Sequence, residues 1–264
     1  MTAAPRPRVV GLLCRTSERT AEGAAGARAL TEAIATRAGV AARFVGSPGE
    51  PREGTYEEDL RDARGCLLEA GGQLSDAFHD GEFPVVCAGD CSICVTTLPA
   101  LARDRPDAFV LWLDAHGDFN SPATSPSGFL GGMGLAGACG VWETGFDGPC
   151  LDPSRVVMCG VRDVDAGEQV LLETHGVSRI ERPSRLADAL AGREVFVHLD
   201  LDVLDPSVVD GFPFPVPGGF SAEGLRRMLA EVAGVATVVG VEVTSCPGPE
   251  AAQLAASCVE PLFS

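Results

Sequence analysis

Ala108-Phe109-Val110-Leu111-Trp112-Leu113-Asp114-Ala115-His116-Gly117-Asp118-Phe119-Asn120 is the stretch that decides how this chain folds. Its first part is apolar at every position, as in a strand covered on both faces. Its second part places Asp114, His116 and Asp118 at alternate positions, so that an extended chain leaving the strand turns all three toward one side. Two other runs repeat the pattern. Pro84-Val85-Val86-Cys87-Ala88 ends in Gly89-Asp90-Cys91-Ser92, and Val195-Phe196-Val197-His198-Leu199 ends in Asp200-Leu201-Asp202.

Further strands are expected at Val9–Cys14, Val40–Val45, Val156–Val161 and Ala236–Val241. Helical segments are expected at about Ala21–Arg37, Tyr56–Phe78, Asp165–His175, Arg182–Ala191 and Ala222–Ala233. Doubly apolar strands alternating with amphipathic helices give an α/β fold with three α/β/α layers and a mostly parallel central sheet. Such sheets hold ligands beyond the carboxyl ends of their strands, where all three polar clusters fall. Two long segments rich in Gly, Ser and Pro, from Ser121 to Gly148 and from Pro206 to Gly219, read as functional loops.

The length of 264 residues suits one domain spanning 1–264, with no internal repeat or linker. A net charge of −17 argues against nucleic acid and anionic membrane as partners. No apolar run approaches a membrane span, and the short run after Met1–Arg8 reads as a first strand rather than a leader. The ten cysteines lie mostly in apolar context and include a single C-x-x-C, Cys91 to Cys94. They are expected to be reduced thiols of a cytoplasmic protein.

Carboxylates bridging between strand ends can hold two divalent ions about 3–4 Å apart. Oxygen-rich ligation favours Mn²⁺ or Mg²⁺ over structural Zn²⁺. His116 is the one histidine of four inside a carboxylate cluster, whereas His198 reads as a core residue or a support for the ligands.

These motifs resemble those of the ureohydrolases, the family of arginase, agmatinase and formiminoglutamase. The family's Gly-Gly-Asp-His-Ser, Asp-Ala-His-x-Asp-x-Asn and Asp-x-Asp-x-x-Asp-Pro stretches compare with Gly89–Ser92, Asp114–Asn120 and Asp200–Pro206. The resemblance implies an arginase-like fold and two Mn²⁺ ions per chain. One ion would be held by Cys91, Asp114, Asp118 and Asp200, the other by His116, Asp114, Asp200 and Asp202. Asp118 and Glu242 would be catalytic, with Glu242, placed after the last strand, binding the substrate guanidinium. Asn120 and Ser127 would take the substrate carboxylate. Asp165, with Asp163 and Glu168 behind it, would serve the amino group, or else these acids only cap the following helix. The partner implied is a small guanidino amino acid. Homo-oligomers are common in the family, but nothing in these residues specifies an interface.

Two departures matter. Cys91 stands where the family has histidine, and a thiolate is a softer, oxidisable ligand. The family's Ser-Gly-x-x-His-Gly run is Ser127-Gly128-Phe129-Leu130-Gly131-Gly132 here, so a histidine linked to proton transfer is absent. With Cys91, the Phe129–Gly140 run resembles a small bacterial branch that includes the Nω-hydroxy-L-arginine amidinohydrolase of D-cycloserine, an antibiotic, biosynthesis. The expected reaction is hydrolysis of Nω-hydroxy-L-arginine to L-ornithine and hydroxyurea. The alternatives are an L-arginine hydrolase releasing urea and a degenerate metal-binding or interaction protein.

Overall fold

The computed structural model describes residues 5–20 and 22–263. The start of the chain before Pro5 and the first position expected in a helix, Ala21, lie outside them. Eight strands form one sheet: β1 Pro7–Leu12, β2 Ala42–Val45, β3 Phe83–Cys87, β4 Phe109–Leu113, β5 Val156–Cys159, β6 Ser178–Arg179, β7 Glu194–Asp200 and β8 Thr237–Thr244. Their order is β2-β1-β3-β8-β7-β4-β5-β6, and every pairing is parallel.

The helices among the described residues are α1 Glu22–Ala38, α2 Tyr56–His79, α3 Cys94–Asp104, α4 Gly134–Ala138, α5 Ala166–Thr174, α6 Leu186–Leu190, α7 Ala222–Val235 and α8 Pro249–Val259. They cover the two faces separately. Leu30 and Ile34 of α1, Leu225 and Leu229 of α7, and Ala252 and Ala255 of α8 bury one face with Val9, Leu111 and Val197. Leu67 and Leu74 of α2 and Leu98 of α3 bury the other with Val86, Val110 and Trp112. The expected three-layer architecture is therefore present, and both sheet faces are dry, as parallel strands require.

Some local expectations are corrected. α3, α4 and α8 were not expected: α3 carries Pro99, and α8 opens on Pro249 and packs through alanines. The loop from Ser121 to Gly148 is broken by α4. The helix expected from Arg182 shrinks to α6 behind a single tight turn, Pro183–Arg185. Cys14 is not a free thiol but forms a disulfide with Cys66 of α2, across a Cα–Cα distance of 6.5 Å.

The last correction affects the site. β8 runs to Thr244, three residues past its expected end, and pairs with β3 on one side and β7 on the other. Glu242 thus lies within a central strand rather than after it. The chain makes β1 to β3, then crosses to β4 and β5 and returns to insert β7 and β8 between. This crossover gathers the carboxyl ends of β3, β8, β7 and β4 at the centre of one edge, the usual ligand position in such sheets.

Candidate active site

A cavity of about 710 Å³ opens over these strand ends. Cys91, Asp114, His116, Asp118, Asp200 and Asp202 all line it. His116 Nδ1 lies 3.1 Å from Asp202 Oδ2 and 3.4 Å from Asp114 Oδ1. Cys91 Sγ lies 2.9 Å from Asp200 Oδ2 and 3.9 Å from Asp114 Oδ2. Ligating atoms of Asp114, His116 and Asp202 fall within 4.8 Å of one another, as do those of Cys91, Asp114 and His198.

Backbone amides set the aim of these carboxylates. Asp114 Oδ1 accepts from His116 N at 2.7 Å, and Asp200 Oδ1 from Asp202 N at 2.9 Å. Asp202 Oδ1 accepts from Ala115 N at 3.1 Å. Asp114 and Asp202 are each tied to a backbone amide by one oxygen, whereas Asp200 Oδ2 also accepts from Thr244 Oγ1 at 3.1 Å. Asp118 has φ 49°, a left-handed conformation that costs energy for a residue with a Cβ. Its carbonyl accepts from Leu135 N and Ala136 N at 3.1 and 3.3 Å, so the first turn of α4 holds it there.

The electrostatics fit a cation site. Burial, then the neighbouring Asp114, holds the Asp118 carboxyl well above the usual range. Burial and Asp202 push Asp200 up to about 6, and burial and Asp114 raise Asp202. Burial pulls the His116 imidazole down, but Asp114 and Asp202 outweigh it and push it up to about 12. Burial, then Asp200, raises the Cys91 thiol well above its ordinary value. Buried acids that raise one another's carboxyls, beside an imidazole and a thiol, are a donor set that suits two divalent ions.

Glu242 does not line this cavity. It is fully buried, with Oε1 2.7 Å from His198 Nδ1 and Oε2 accepting from Thr97 Oγ1 at 2.6 Å. The cause is the pleat: on β8 the residue pairs in register with His198 on β7, under the cavity floor. The His198 ring stacks on Trp112 at 3.5 Å, and its Nε2 lies 3.3 Å from Cys91 Sγ. From the end of β8 it is Ser245 that reaches the cavity, at φ 57° and donating to Asp200.

Asn120, Ser127, Asp163, Asp165 and Glu168 line the same cavity. Asn120 Nδ2 donates to Asp165 Oδ2 at 3.0 Å. Asp165 and Glu168 form a capping box at the start of α5, so capping and cavity lining coincide in one residue. Glu168 also accepts from Phe119 N at 2.7 Å, and burial pushes its carboxyl up to about 7. It explains Gly117: a Cβ there would lie 2.6 Å from Glu168 Oε1.

Gly131 is roofed by Phe129, whose ring would lie 2.5 Å from a Cβ at that position. Phe129 packs on Phe214 at 5.4 Å between centroids, and Phe214 stands edge-on to His116 at 6.3 Å. Phe214 and Pro215 of the second long loop line the cavity, whereas Phe212 is in the core. Arg162 anchors that loop by donating to Val216 O at 2.7 Å and to Asp202 O at 2.9 Å.

Sequence reasoning passed over Glu18 and Arg19. Both line the cavity. Their signal was position: they follow β1, whose carboxyl end lies beside that of β3. Burial, then Asp90, pushes the Glu18 carboxyl up to about 8.

A model of the arginase family matches residues 52–251. Over 249 residues the chain is 33% identical to an Nω-hydroxy-L-arginine amidinohydrolase of Streptomyces lavendulae, covering 93% of this chain and 90% of that protein. It is 35% identical over 203 residues to an arginase of Bacillus caldovelox, covering 67% and 68% of the two chains. The native structure of a Bacillus caldovelox arginase superposes with a TM-score of 0.84 at 25% identity, covering 99% of this chain and 98% of that one. The proclavaminate amidino hydrolase of Streptomyces clavuligerus shares the fold, with a TM-score of 0.74 at 20% identity and coverages of 98% and 91%. With fold, cluster and relatives in agreement, this chain belongs to the arginase family.

Proposed function

We propose that the chain, acting as one domain, is a two-manganese amidinohydrolase that cleaves Nω-hydroxy-L-arginine to L-ornithine and hydroxyurea. The family and the clustered donors make the chain an amidinohydrolase-type enzyme with a candidate binuclear metal cluster. The choice of the hydroxylated substrate is carried by Gly131, which offers no side chain to protonate a leaving amine and is closed over by Phe129. An N-hydroxyguanidine is less basic than a guanidine and presents a neutral electrophilic carbon more readily. It therefore depends less on such a group. The likeness to the Streptomyces lavendulae amidinohydrolase supports the same reading.

In this reading Cys91, Asp114, Asp118 and Asp200 hold one ion, and His116, Asp114, Asp200 and Asp202 the other. When bound, the ions supply Lewis acidity and lower the pKa of water. The chain's own residues do the rest. Asp118, turned by its left-handed backbone into the cavity, accepts a hydrogen bond from the attacking water. Asn120 and Ser127 take the substrate carboxylate, and Asp163 and Asp165 its ammonium group. Phe129 and Phe214 exclude bulk water from the reacting carbon. Glu242, expected to bind the guanidinium, also fixes His198 and through it Cys91.

With this activity the protein would serve specialised metabolism in a cytoplasmic setting. Eight free cysteines among the described residues support that setting, and the Cys14–Cys66 disulfide counts against it. No helix among those residues is long and apolar enough to cross a membrane. Hydrolysis of L-arginine is the second reading, favoured by the likeness to the Bacillus caldovelox arginase. The test is product analysis with reduced, Mn²⁺-loaded protein and Nω-hydroxy-L-arginine. Ornithine and hydroxyurea in equal amounts are expected, and the absence of both contradicts the proposal.

A further inference from the structure

We propose that Arg19 binds the carboxylate of the substrate's amino-acid head, as the one arginine that the fold places in a strongly acidic cavity. This rests on the functional reading above. It adds a fixed positive charge to Asn120 and Ser127, which that reading assigns to the same carboxylate.

The charge of the cavity creates the need. Ten of its lining residues are acidic, and Arg19 is the only arginine beside them. The chain contains no lysine. In the functional reading Asp114, Asp118, Asp200 and Asp202 ligate metal, which leaves the other acids facing the substrate. Two of these, Asp163 and Asp165, serve its ammonium group and repel its carboxylate. Neutral donors answer this only in part. Asn120 Nδ2 already gives one N–H to Asp165 Oδ2 at 3.0 Å, and Ser127 adds a single hydroxyl. A carboxylate has about four acceptor sites, and hydrogen bonds from a cation are the stronger ones.

Arg19 stands where such a donor is wanted. Its Nη2 lies 3.4 Å from Ser127 O, and its guanidinium lies over the Phe129 ring at 5.1 Å from the centroid. Phe129 packs on Phe214, so the cation rests on an aromatic stack at the cavity wall. The side chain is 24% exposed, and Nη1 takes no part in the contact with Ser127. Nε is buried and lies 3.2 Å from Glu53 Oε2 without making a hydrogen bond. Glu53 is 82% exposed, so water screens that pair and a ligand carboxylate can compete with it.

The segment that carries Arg19 is held in place. Arg15 Nε donates to Glu18 O at 2.9 Å, and Ser17 Oγ donates to Asp90 Oδ2 at 2.7 Å. The neighbouring arginines are committed elsewhere. Arg15 pairs with Asp59 at 2.6 Å, and Arg162 is spent on the carbonyls of Val216 and Asp202. A cation fixed before the ligand arrives loses little freedom on binding it.

The experiment compares Mn²⁺-loaded wild type with Arg19→Gln and Arg19→Lys. Calorimetry measures Kd for L-ornithine and for putrescine, which is ornithine without its carboxylate. Arg19→Gln is expected to weaken ornithine by about tenfold or more, the worth of hydrogen bonds to a charged group, and to change putrescine by less than about twofold. Arg19→Lys should recover part of the loss, because it keeps the charge but not the planar fork. The KM for Nω-hydroxy-L-arginine should rise more than kcat falls, with manganese content unchanged. Ornithine affinity within about twofold of wild type in Arg19→Gln overturns the inference. Equal weakening of ornithine and putrescine overturns it too, since that marks a merely structural role, as does a wild type that binds ornithine no better than putrescine. A wild type whose ornithine binding depends on Arg19 but which releases no hydroxyurea from Nω-hydroxy-L-arginine supports the inference and overturns the functional reading.

Discussion

His198 and Glu242 face each other across β7 and β8 as register partners, joined Nδ1 to Oε1 at 2.7 Å with neither exposed to solvent. The far ring nitrogen touches the thiol of Cys91. Removing one partner leaves a buried polar group unsatisfied, at a cost of about 3 kcal/mol or more. Glu242→Ala is therefore expected to lower unfolding free energy by that amount and to lower manganese occupancy at the Cys91 side. Urea melts and metal analysis check this. A stable variant with full metal content and only a raised KM would leave Glu242 a substrate contact alone.

Metal uptake should release protons. The Cys91 thiol lies well above its ordinary value and the His116 imidazole is up at about 12, so both carry protons in the metal-free protein near neutrality. Both must lose them to ligate. Manganese affinity is expected to tighten by about tenfold per pH unit for each proton displaced. Titrations at pH 6.5 and 8.5 in two buffers of different ionisation enthalpy measure the number directly. Affinity independent of pH would mean that these residues do not bind the metal.

Glu18 gives a signed pH effect on the metal-free protein. Its carboxyl is raised from 4.5 to about 8, by burial and then by Asp90. Between these values the folded state holds a proton that the unfolded state has lost, so stability falls with rising pH. The contribution is fully present below about 4.5 and is gone once pH passes about 8. Glu18→Gln removes the dependence. Relative to wild type, the variant's melting temperature should climb from pH 5 to pH 8 and level off above. A difference that stays constant with pH would show that Glu18 does not titrate there.

The roof over Gly131 can be changed in two steps. Gly131→His alone should disturb the site, since the Phe129 ring occupies the space. Combined with Phe129→Gly it restores room for an imidazole. Arginine turnover relative to Nω-hydroxy-L-arginine is then expected to rise, toward the roughly 10²-fold that a positioned proton donor contributes. Steady-state rates on both substrates decide this, and an unchanged ratio would disconnect substrate preference from position 131.

What the sequence disclosed depended on how local the information was. β4 and β7 are apolar at nearly every position and end directly in acids, so strands and clustered acids were legible together. Asp114, His116 and Asp118 were legible because alternation in an extended chain fixes which way they face. Glu242 was expected just past the end of a strand, because how far β8 continues is set by pairing with β3 and β7. The helices α3 and α8 were hidden by an internal proline and by an alanine-rich, proline-led sequence. Glu18 had no motif around it. Only the placement of β1 beside β3 brings it to the cavity, against Gly89. The disulfide between Cys14 and Cys66 joins residues 52 positions apart, a pairing that spacing alone does not single out.

The most direct test of the account is the ratio of kcat/KM for Nω-hydroxy-L-arginine to that for L-arginine, measured as ornithine release by reduced, Mn²⁺-loaded protein with agmatine as control. The account expects the hydroxylated substrate to be preferred by about tenfold or more and agmatine, which lacks the carboxylate, to be inert. A clear preference for L-arginine would contradict it.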